Sequence, residues 1–273
     1  METIQLISWA EFDKWVTPKH YRKWIYRGHS DASWLLESSL HRSFNHASKI
    51  RESGQSSPRP INRNEHEKIM LERFKSNAHL YLPHLPEPSD DLSWLALMQH
   101  HGAPTRLLDF TFSPYVALFF ALESGSEDAS LYCIDHKEMK RDDTSYFGPD
   151  TDEVYSRFLK KDEHTDDFCM LAFEPRFTNQ RLMAQQGLLV ATNTLSSTHE
   201  EILEDYTNVR ASMTKFIIPK RLRYSGLRKL MQMNITSSNL YPGLEGFCKG
   251  MTTQPVLGLE WQQRLGEIGK NKN

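Results

Sequence analysis

The stretch that most constrains the fold runs from 99 to 121 and reads QHHGAPTRLLDFTFSPYVALFFA. Gly102 and Pro104 end any helix that precedes them. Ser113 followed by Pro114 predicts the start of a new helix, with a hydroxyl N-cap and proline at the first helical position. This helix is apolar on all sides, which predicts that it is buried. A turn, a short apolar run and a buried helix therefore follow one another here.

Two charged residues, Arg106 and Asp109, lie inside this apolar run. Charges beside a buried helix are costly unless they meet each other or a ligand. The simplest interpretation is a structural Arg106–Asp109 ion pair that fixes the loop, and contact with a ligand is the alternative. With a buried pair, Asp109→Ala is expected to destabilise the protein more than Thr111→Ala.

The composition indicates an ordinary globular protein, since 38% of the 273 residues are hydrophobic and 25% are charged. The formal net charge of -2 gives no overall field that would attract nucleic acid or anionic lipid. No run approaches a membrane span, and METIQLISWAEF does not resemble a signal peptide. The three distant cysteines fit neither a disulfide framework nor paired zinc ligands, so we expect no metal and a cytoplasmic location.

The order of predicted elements favours an α+β fold. A strand, a block of helices and then mixed strands and helices do not form a regular βαβ alternation. We therefore expect a single domain over 1–273 with a mixed or split β-sheet. Strands are predicted at 23–27, 34–42, 130–135, 168–173, 187–192 and 214–218, and helices at 8–16, 64–81, 89–101, 114–122, 198–210 and 220–233.

Two segments are predicted to lie outside this framework. Residues 43–62 have few apolar side chains and many Ser, Pro and Arg, which is typical of a mobile loop. Residues 136–167 are acidic and poor in large aliphatic residues, which predicts an excursion over the surface.

Four motifs in the right order resemble the FRG domain family, which is named for its (Phe/Tyr)-Arg-Gly motif. They are Tyr26-Arg27-Gly28, the QHHGAPTRLLDFTFSPYVALFFA stretch, NQRLMAQQG, and TKFIIP with NLYPGLEG. The second motif is similar to the family's QHxGxPTRLLDxT signature, although His101 and Phe110 replace aromatic residues that are usual there. The resemblance covers about 19–255 and does not by itself imply a particular reaction.

A weaker resemblance connects the same motifs with the Arg-Ser-Glu type of ADP-ribosyltransferase. A strand ending in Tyr-Arg-Gly is similar to the first motif of those enzymes, whose arginine anchors the nicotinamide dinucleotide. Thr111 and Ser113 resemble their Ser-Thr-Ser strand. NQRLMAQQG then occupies the place of the catalytic glutamate, with Gln185 or Gln186 instead. The resemblance implies an ADP-ribosyltransferase-like fold and NAD as substrate.

This resemblance assigns candidate site residues. The catalytic candidates are Arg27, Gln185 and Thr111. A glutamine cannot act as a base, so the base is Asp109 or His100, the acceptor needs none, or the activity is lost. We expect Arg27 to line a cleft with Arg106 or Gln185. The candidates for binding NAD are Arg27, Gly28, His100, Arg106, Asp109 and Ser113.

Three functional hypotheses follow. The first is an enzyme that uses NAD to modify a protein or nucleic acid, as a toxin or phage-defence effector with an antitoxin or immunity partner and no membrane partner. The second is a nucleic-acid-binding or nucleic-acid-processing protein that uses the basic helix 220–229, with Tyr224 as a stacking residue. The third is a non-catalytic interaction module in which Arg27, Arg106 and Asp109 form a buried ionic network.

Overall fold

A computed structural model describes residues 1–52, 62–139, 158–159, 169–176, 179–206 and 212–257. The fold is α+β, as predicted, and its centre is one mixed sheet with seven strands in the order β1-β7-β4-β2-β3-β6-β5. The β1–β7 pair is parallel and the other neighbouring strands are antiparallel. The strands are β1 (Glu2–Gln5), β2 (Trp24–His29), β3 (Leu108–Thr111), β4 (Ala129–Asp135), β5 (Met170–Phe173), β6 (Gly187–Thr192) and β7 (Thr214–Ile218).

Most helices begin with a side-chain cap. The capping oxygen accepts a hydrogen bond from the backbone N–H three residues later, at Ser8, Asn62, Asp90, Ser113, Asn179 and Thr198. The helices are α1 (Trp9–Val16), α2 (Ser39–Glu52), α3 (Arg63–Ala78), α4 (Asp91–His100), α5 (Pro114–Leu122), α6 (Gln180–Ala184), α7 (His199–Asp205), α8 (Arg223–Gln232), α9 (Ser237–Leu240) and α10 (Leu244–Leu257).

Helices cover both faces of the sheet. On one face, α1, α5 and α8 form a core with β2, β4 and β7. Beside this core, α3 and α4 pack on β5 and β6. On the opposite face, α7 and Leu36 pack against Ile25, Tyr132 and Ile134. Because side chains alternate along a strand, Tyr26 and Arg27 point to opposite faces.

Helix α5 is buried, as the sequence predicted. Ser113 caps it and Pro114 occupies its first position. It lies directly against β2 at Gly28, where an added Cβ would be 2.0 Å from the backbone oxygen of Ala117. Only glycine allows this approach of helix to strand.

The segment 34–52 differs from the prediction. Residues 34–42 contain no strand, and Ser39–Glu52 form α2, so the predicted loop is wrong for 43–52. The helix forms because Leu40 and Phe44, one turn apart, pack against Leu195. The rest of the predicted loop, 53–61, lies outside the described residues. Of the predicted acidic excursion, only 136–139 and 158–159 are described.

Gly28→Ala tests the contact between α5 and β2. We expect a loss of about 3 kcal/mol or more in the free energy of unfolding, because the methyl group collides with helix backbone that is itself buried. Urea unfolding measures the change. Gly250→Ala is the control, since its Cβ would meet the rotatable Oγ of Ser238 at 3.0 Å and the backbone nitrogen of Ser238 at an ordinary contact distance of 4.0 Å. Equal stability of the two variants would contradict this packing.

Candidate functional site

Arg27 lies where two strands have little pairing. Strand β2 pairs with β4 along its whole length, but with β3 only at Tyr26 and Thr111. Nη1 of Arg27 donates to the backbone oxygen of Asp109 (2.6 Å), and Nε donates to Nε2 of His29 (3.0 Å). The guanidinium forms no ion pair with any residue in the described part of the chain. Burial lowers the pKa of Arg27, and the nearby Asp109 carboxylate opposes this shift.

A cavity of about 230 Å³ lies between α4, β3 and α6. Apolar side chains, among them Leu97, Leu182 and Leu189, form part of its wall. A wall that is largely apolar with a few convergent polar groups is typical of a small-molecule site. Its polar lining residues include Gln99, His100, Asp109, Asn179, Arg181 and Gln185.

Two of the sequence motifs line this cavity, and hydrogen bonds connect it to two others. Arg27 bonds to Asp109, and Oγ1 of Thr111 donates to the backbone oxygen of Gln185 (2.7 Å). Nε2 of Gln185 in turn donates to the backbone oxygen of Leu240 (2.9 Å), in the NLYPGLEG motif. Asp109, His100 and Gln185 therefore line the cavity as a group, and Thr111 lies behind its wall. Arg27 points to the opposite face of the sheet and contacts Asp109 through the backbone oxygen, so the expectation that Arg27 lines a cleft with Arg106 or Gln185 is not met at this cavity.

The predicted ion pair between Arg106 and Asp109 is wrong. Arg106 pairs with Glu67 on α3 through both carboxylate oxygens, with Nε at 2.9 Å from each, and Nη1 donates to the backbone oxygen of Thr192 (2.9 Å). Both partners are buried, with 4% and 6% of their surface exposed. Asp109 is exposed because strand β3 turns its side chain toward the cavity. Sequence proximity misled the prediction, since Glu67 lies 39 residues before Arg106.

Gly28, Arg106 and Ser113, predicted as NAD contacts, do not line the cavity. Gly28 faces α5, the guanidinium of Arg106 is occupied by Glu67 and Thr192, and Ser113 caps α5. Each of these residues therefore has a structural contact that explains it.

Sequence reasoning missed three buried histidines. Burial, reinforced by Arg27, lowers the pKa of His29 to about 3. Burial also lowers the pKa of His199 to about 3 and, with Arg63, that of His41 to about 4. His29 was detectable, because it lies two positions after Arg27 and so shares its face of the strand.

His100 differs from these three because it is exposed at the cavity. Partial burial of its ring and the neighbouring His101, with ring centres 5.0 Å apart, lower its pKa. The neutral imidazole therefore remains a hydrogen-bonding group for a ligand at neutral pH.

Several residues of the predicted basic face, in the helical segment after β7, form structural contacts within the protein. Arg223 is buried, and its guanidinium donates to several backbone oxygens, including those of Glu127 (2.7 Å) and Ser124 (2.7 Å). Lys229 pairs with Asp13, and Lys220 pairs with Glu127. These contacts reduce the charge that a nucleic acid would meet.

The fold and the cavity define an α+β protein with a candidate small-molecule site. Residues 22–130 match the family model of the FRG domain, so the chain contains an FRG domain, as the motifs predicted. The match includes Arg27, Asp109 and α5. No curated protein and no solved structure matches the chain.

Two features are absent from the described residues. None of the helices there has the length and apolar character needed to cross a bilayer. The same residues contain no group of three or more His, Cys, Asp or Glu side chains suited to a metal ion.

Glu67→Ala tests the corrected ion pair. It leaves Arg106 as a buried, uncompensated charge, so we expect a loss of about 3–5 kcal/mol in the free energy of unfolding. Asp109→Ala is the matched control and should change stability little, because its carboxylate is exposed and unpaired within the described residues. A larger loss of stability in Asp109→Ala than in Glu67→Ala would contradict the Arg106–Glu67 pair and support an Arg106–Asp109 pair.

The three buried histidines predict a dependence of stability on pH. Unfolding restores a histidine pKa of about 6.5, so the unfolded chain binds more protons below that pH. Stability should therefore fall as the pH drops from about 6.5 toward 4, by about 1.4 kcal/mol per pH unit for each histidine at most. Urea unfolding at several pH values measures the slope.

A pair of variants isolates this contribution from that of the carboxylates. His41→Gln should reduce the slope, whereas His46→Gln, at an exposed position, should leave it unchanged. Identical slopes in both variants would show that His41 is not held neutral in the folded protein.

Proposed function

We propose that this protein binds NAD at the cavity and transfers ADP-ribose to a macromolecular acceptor. The observation that carries the proposal is the position of Arg27. It has no ion pair in the described part of the chain and donates to the backbone oxygen of Asp109, whose carboxylate lines the cavity with Gln185 on the opposite face of the sheet. The two sites flank the part of β2 and β3 that is not paired. The segments that resemble ADP-ribosyltransferase motifs support it, because they lie on or next to the neighbouring strands β2, β3 and β6.

Arg27 is suited to a phosphate group. A partly buried guanidinium without a carboxylate partner is stabilised by an anion that reaches it. Two of its nitrogens already donate to Asp109 and His29, which fixes the plane of the group. Arginine in a fixed plane binds a phosphate or diphosphate with paired hydrogen bonds.

The cavity is suited to the nicotinamide riboside part of the dinucleotide. Leu97 and Leu189 offer apolar contact to a flat ring, and the polar groups opposite offer hydrogen bonds to ribose. Nε2 of Gln185 is engaged by Leu240, and no hydrogen bond reaches its Oε1 from the described residues. That oxygen is therefore able to accept from a ribose hydroxyl.

Asp109 supplies the carboxylate that Gln185 lacks. The bond between ribose C1′ and the nicotinamide nitrogen breaks, nicotinamide leaves with the bonding electrons, and positive charge develops on the ribose. A carboxylate at the cavity wall stabilises that charge. The nucleophile of the acceptor then bonds to C1′ and gives its proton to Asp109.

The acceptor in this proposal is a protein or a nucleic acid, consistent with a toxin or phage-defence effector controlled by an antitoxin or immunity protein. The nucleic-acid alternative loses support from the pairing of Lys220, Arg223 and Lys229. The interaction-module alternative loses its ionic network, because Arg106 pairs with Glu67 instead of Asp109.

Release of nicotinamide from NAD tests the proposal. Arg27→Ala should reduce turnover about 10- to 100-fold or more, since charge-assisted hydrogen bonds contribute about 1.5–3 kcal/mol. Asp109→Asn should reduce it further, because the amide neither stabilises a cation nor accepts a proton. Gln185→Ala should slow turnover, whereas Gln185→Glu should preserve or raise it by adding a carboxylate.

Arg73→Ala is the control for loss of a positive charge, since Arg73 is exposed on α3 and does not line the cavity. Each variant is first checked for a native melting curve. Full turnover in Arg27→Ala and Asp109→Asn, or no NAD binding by the wild-type protein, would exclude this function and leave the interaction module as the better account.

A further inference from the structure

We propose that His29 is a positioning residue, whose neutral imidazole orients the Arg27 guanidinium while leaving its charge available to an anionic ligand. The geometry is independent of the proposed function, and only the identity of the ligand rests on it. Nε of Arg27 donates to Nε2 of His29 at 3.0 Å. Nε2 accepts only when it carries no proton, so the proton lies on Nδ1, which is 3.3 Å from the backbone oxygen of Trp34.

A second layer of contacts holds the imidazole in place. The hydroxyl of Tyr132 lies 3.3 Å from the same Trp34 oxygen and 3.2 Å from Oε2 of Glu200. The backbone N–H of Leu36 donates to Oε2 of Glu200 (2.8 Å). Glu200 is buried and therefore fixes the segment 34–36, which in turn fixes His29.

The surroundings keep His29 neutral. Its side chain is 5% exposed, and the charges that act on it most are cations on three elements: Arg27 on β2, Lys215 on β7 and Arg42 on α2. Tyr132 packs edge-on against it at 5.4 Å, with its own pKa raised by burial and by Glu200. Glu200 contacts this hydroxyl instead of the imidazole, so no described carboxylate is seen to stabilise an imidazolium.

The choice of histidine has a chemical consequence. A carboxylate at this position would also accept from Arg27, but it would neutralise the guanidinium and compete with a phosphate. A neutral acceptor fixes the direction of the guanidinium without that competition. Arg106 shows the other arrangement in the same protein, since Glu67 pairs with it fully.

Three substitutions separate the orientation of the guanidinium from competition by a negative charge. His29→Gln keeps an acceptor near the position of Nε2, His29→Leu removes it, and His29→Glu adds a competing charge. ADP, titrated by calorimetry against the full chain, is the probe. We expect His29→Gln to bind within about threefold of wild type, and both His29→Leu and His29→Glu to bind about tenfold or more weakly.

The control is His41→Leu, which removes a second buried histidine that contacts an arginine, Arg63 (2.7 Å). It should leave ADP affinity unchanged. Nitrogen-15 NMR of the wild-type protein is a second measurement, and it does not depend on whether the variants fold. It should show His29 with its proton on Nδ1 from pH 5 to 8, and a hydrogen-bonded Nε–H signal for Arg27.

The outcomes distinguish this inference from the proposed function. Wild-type affinity for ADP in both His29→Leu and His29→Glu would overturn it even if nicotinamide release is observed. A proton on Nε2, or titration of His29 near pH 6.5, would also overturn it. A His29-dependent affinity for ADP in a protein that releases no nicotinamide would support it while excluding the transferase.

Discussion

The contact between α5 and β2 at Gly28 is the one on which the rest of the structure depends. Strand β2 is the central strand of the sheet, with three strands on each side. Helix α5 connects β3 to β4, the two neighbours of β2, so its position sets where both of them lie. The (Phe/Tyr)-Arg-Gly motif thus combines two functions in adjacent residues, since Gly28 admits the helix on one face and Arg27 presents a charge on the other.

Two buried arginines, Arg106 and Arg223, and the partly buried Arg27 show how differently one side chain is accommodated in this protein. Arg106 is matched by a carboxylate and a carbonyl oxygen, and Arg223 is surrounded by carbonyl oxygens. Arg27 alone among these three has a neutral imidazole and a single carbonyl oxygen as its partners. A cation left in this state costs stability, and such a cost is most readily explained where a ligand offsets it.

The sequence predicted those parts of the fold that depend on local chemistry. Ser113-Pro114 marked the start of α5, Thr198 and Glu201 marked α7 with a capping box, and the apolar runs marked most of the strands. It failed for α2, because its stripe of two apolar residues, Leu40 and Phe44, is too short to dominate a polar segment. The prediction therefore followed the polar composition of this segment and overlooked the helical spacing of Leu40 and Phe44.

The candidate site was predicted only in part, because the motifs record residues that are close in sequence. The motifs identified His100, Asp109 and Gln185, which line one cavity, and Arg27, which donates to the backbone oxygen of Asp109 from the other face of the sheet. They did not identify the partner of Arg106 or the network from His29 to Glu200. Those contacts join residues on different elements, and no spacing within a single helix or strand records them.

The strand order also affects how the protein reaches its folded state. β1 pairs with β7, with Glu2 opposite Thr214, and β2 finds both of its neighbours only after the four helices α2 to α5 have been made. Closing such long loops costs entropy before any contact compensates for it, so we expect slow folding. During synthesis, β2 is complete before either of its neighbours, so we expect its two unpaired edges to be the part of the nascent chain most prone to aggregation.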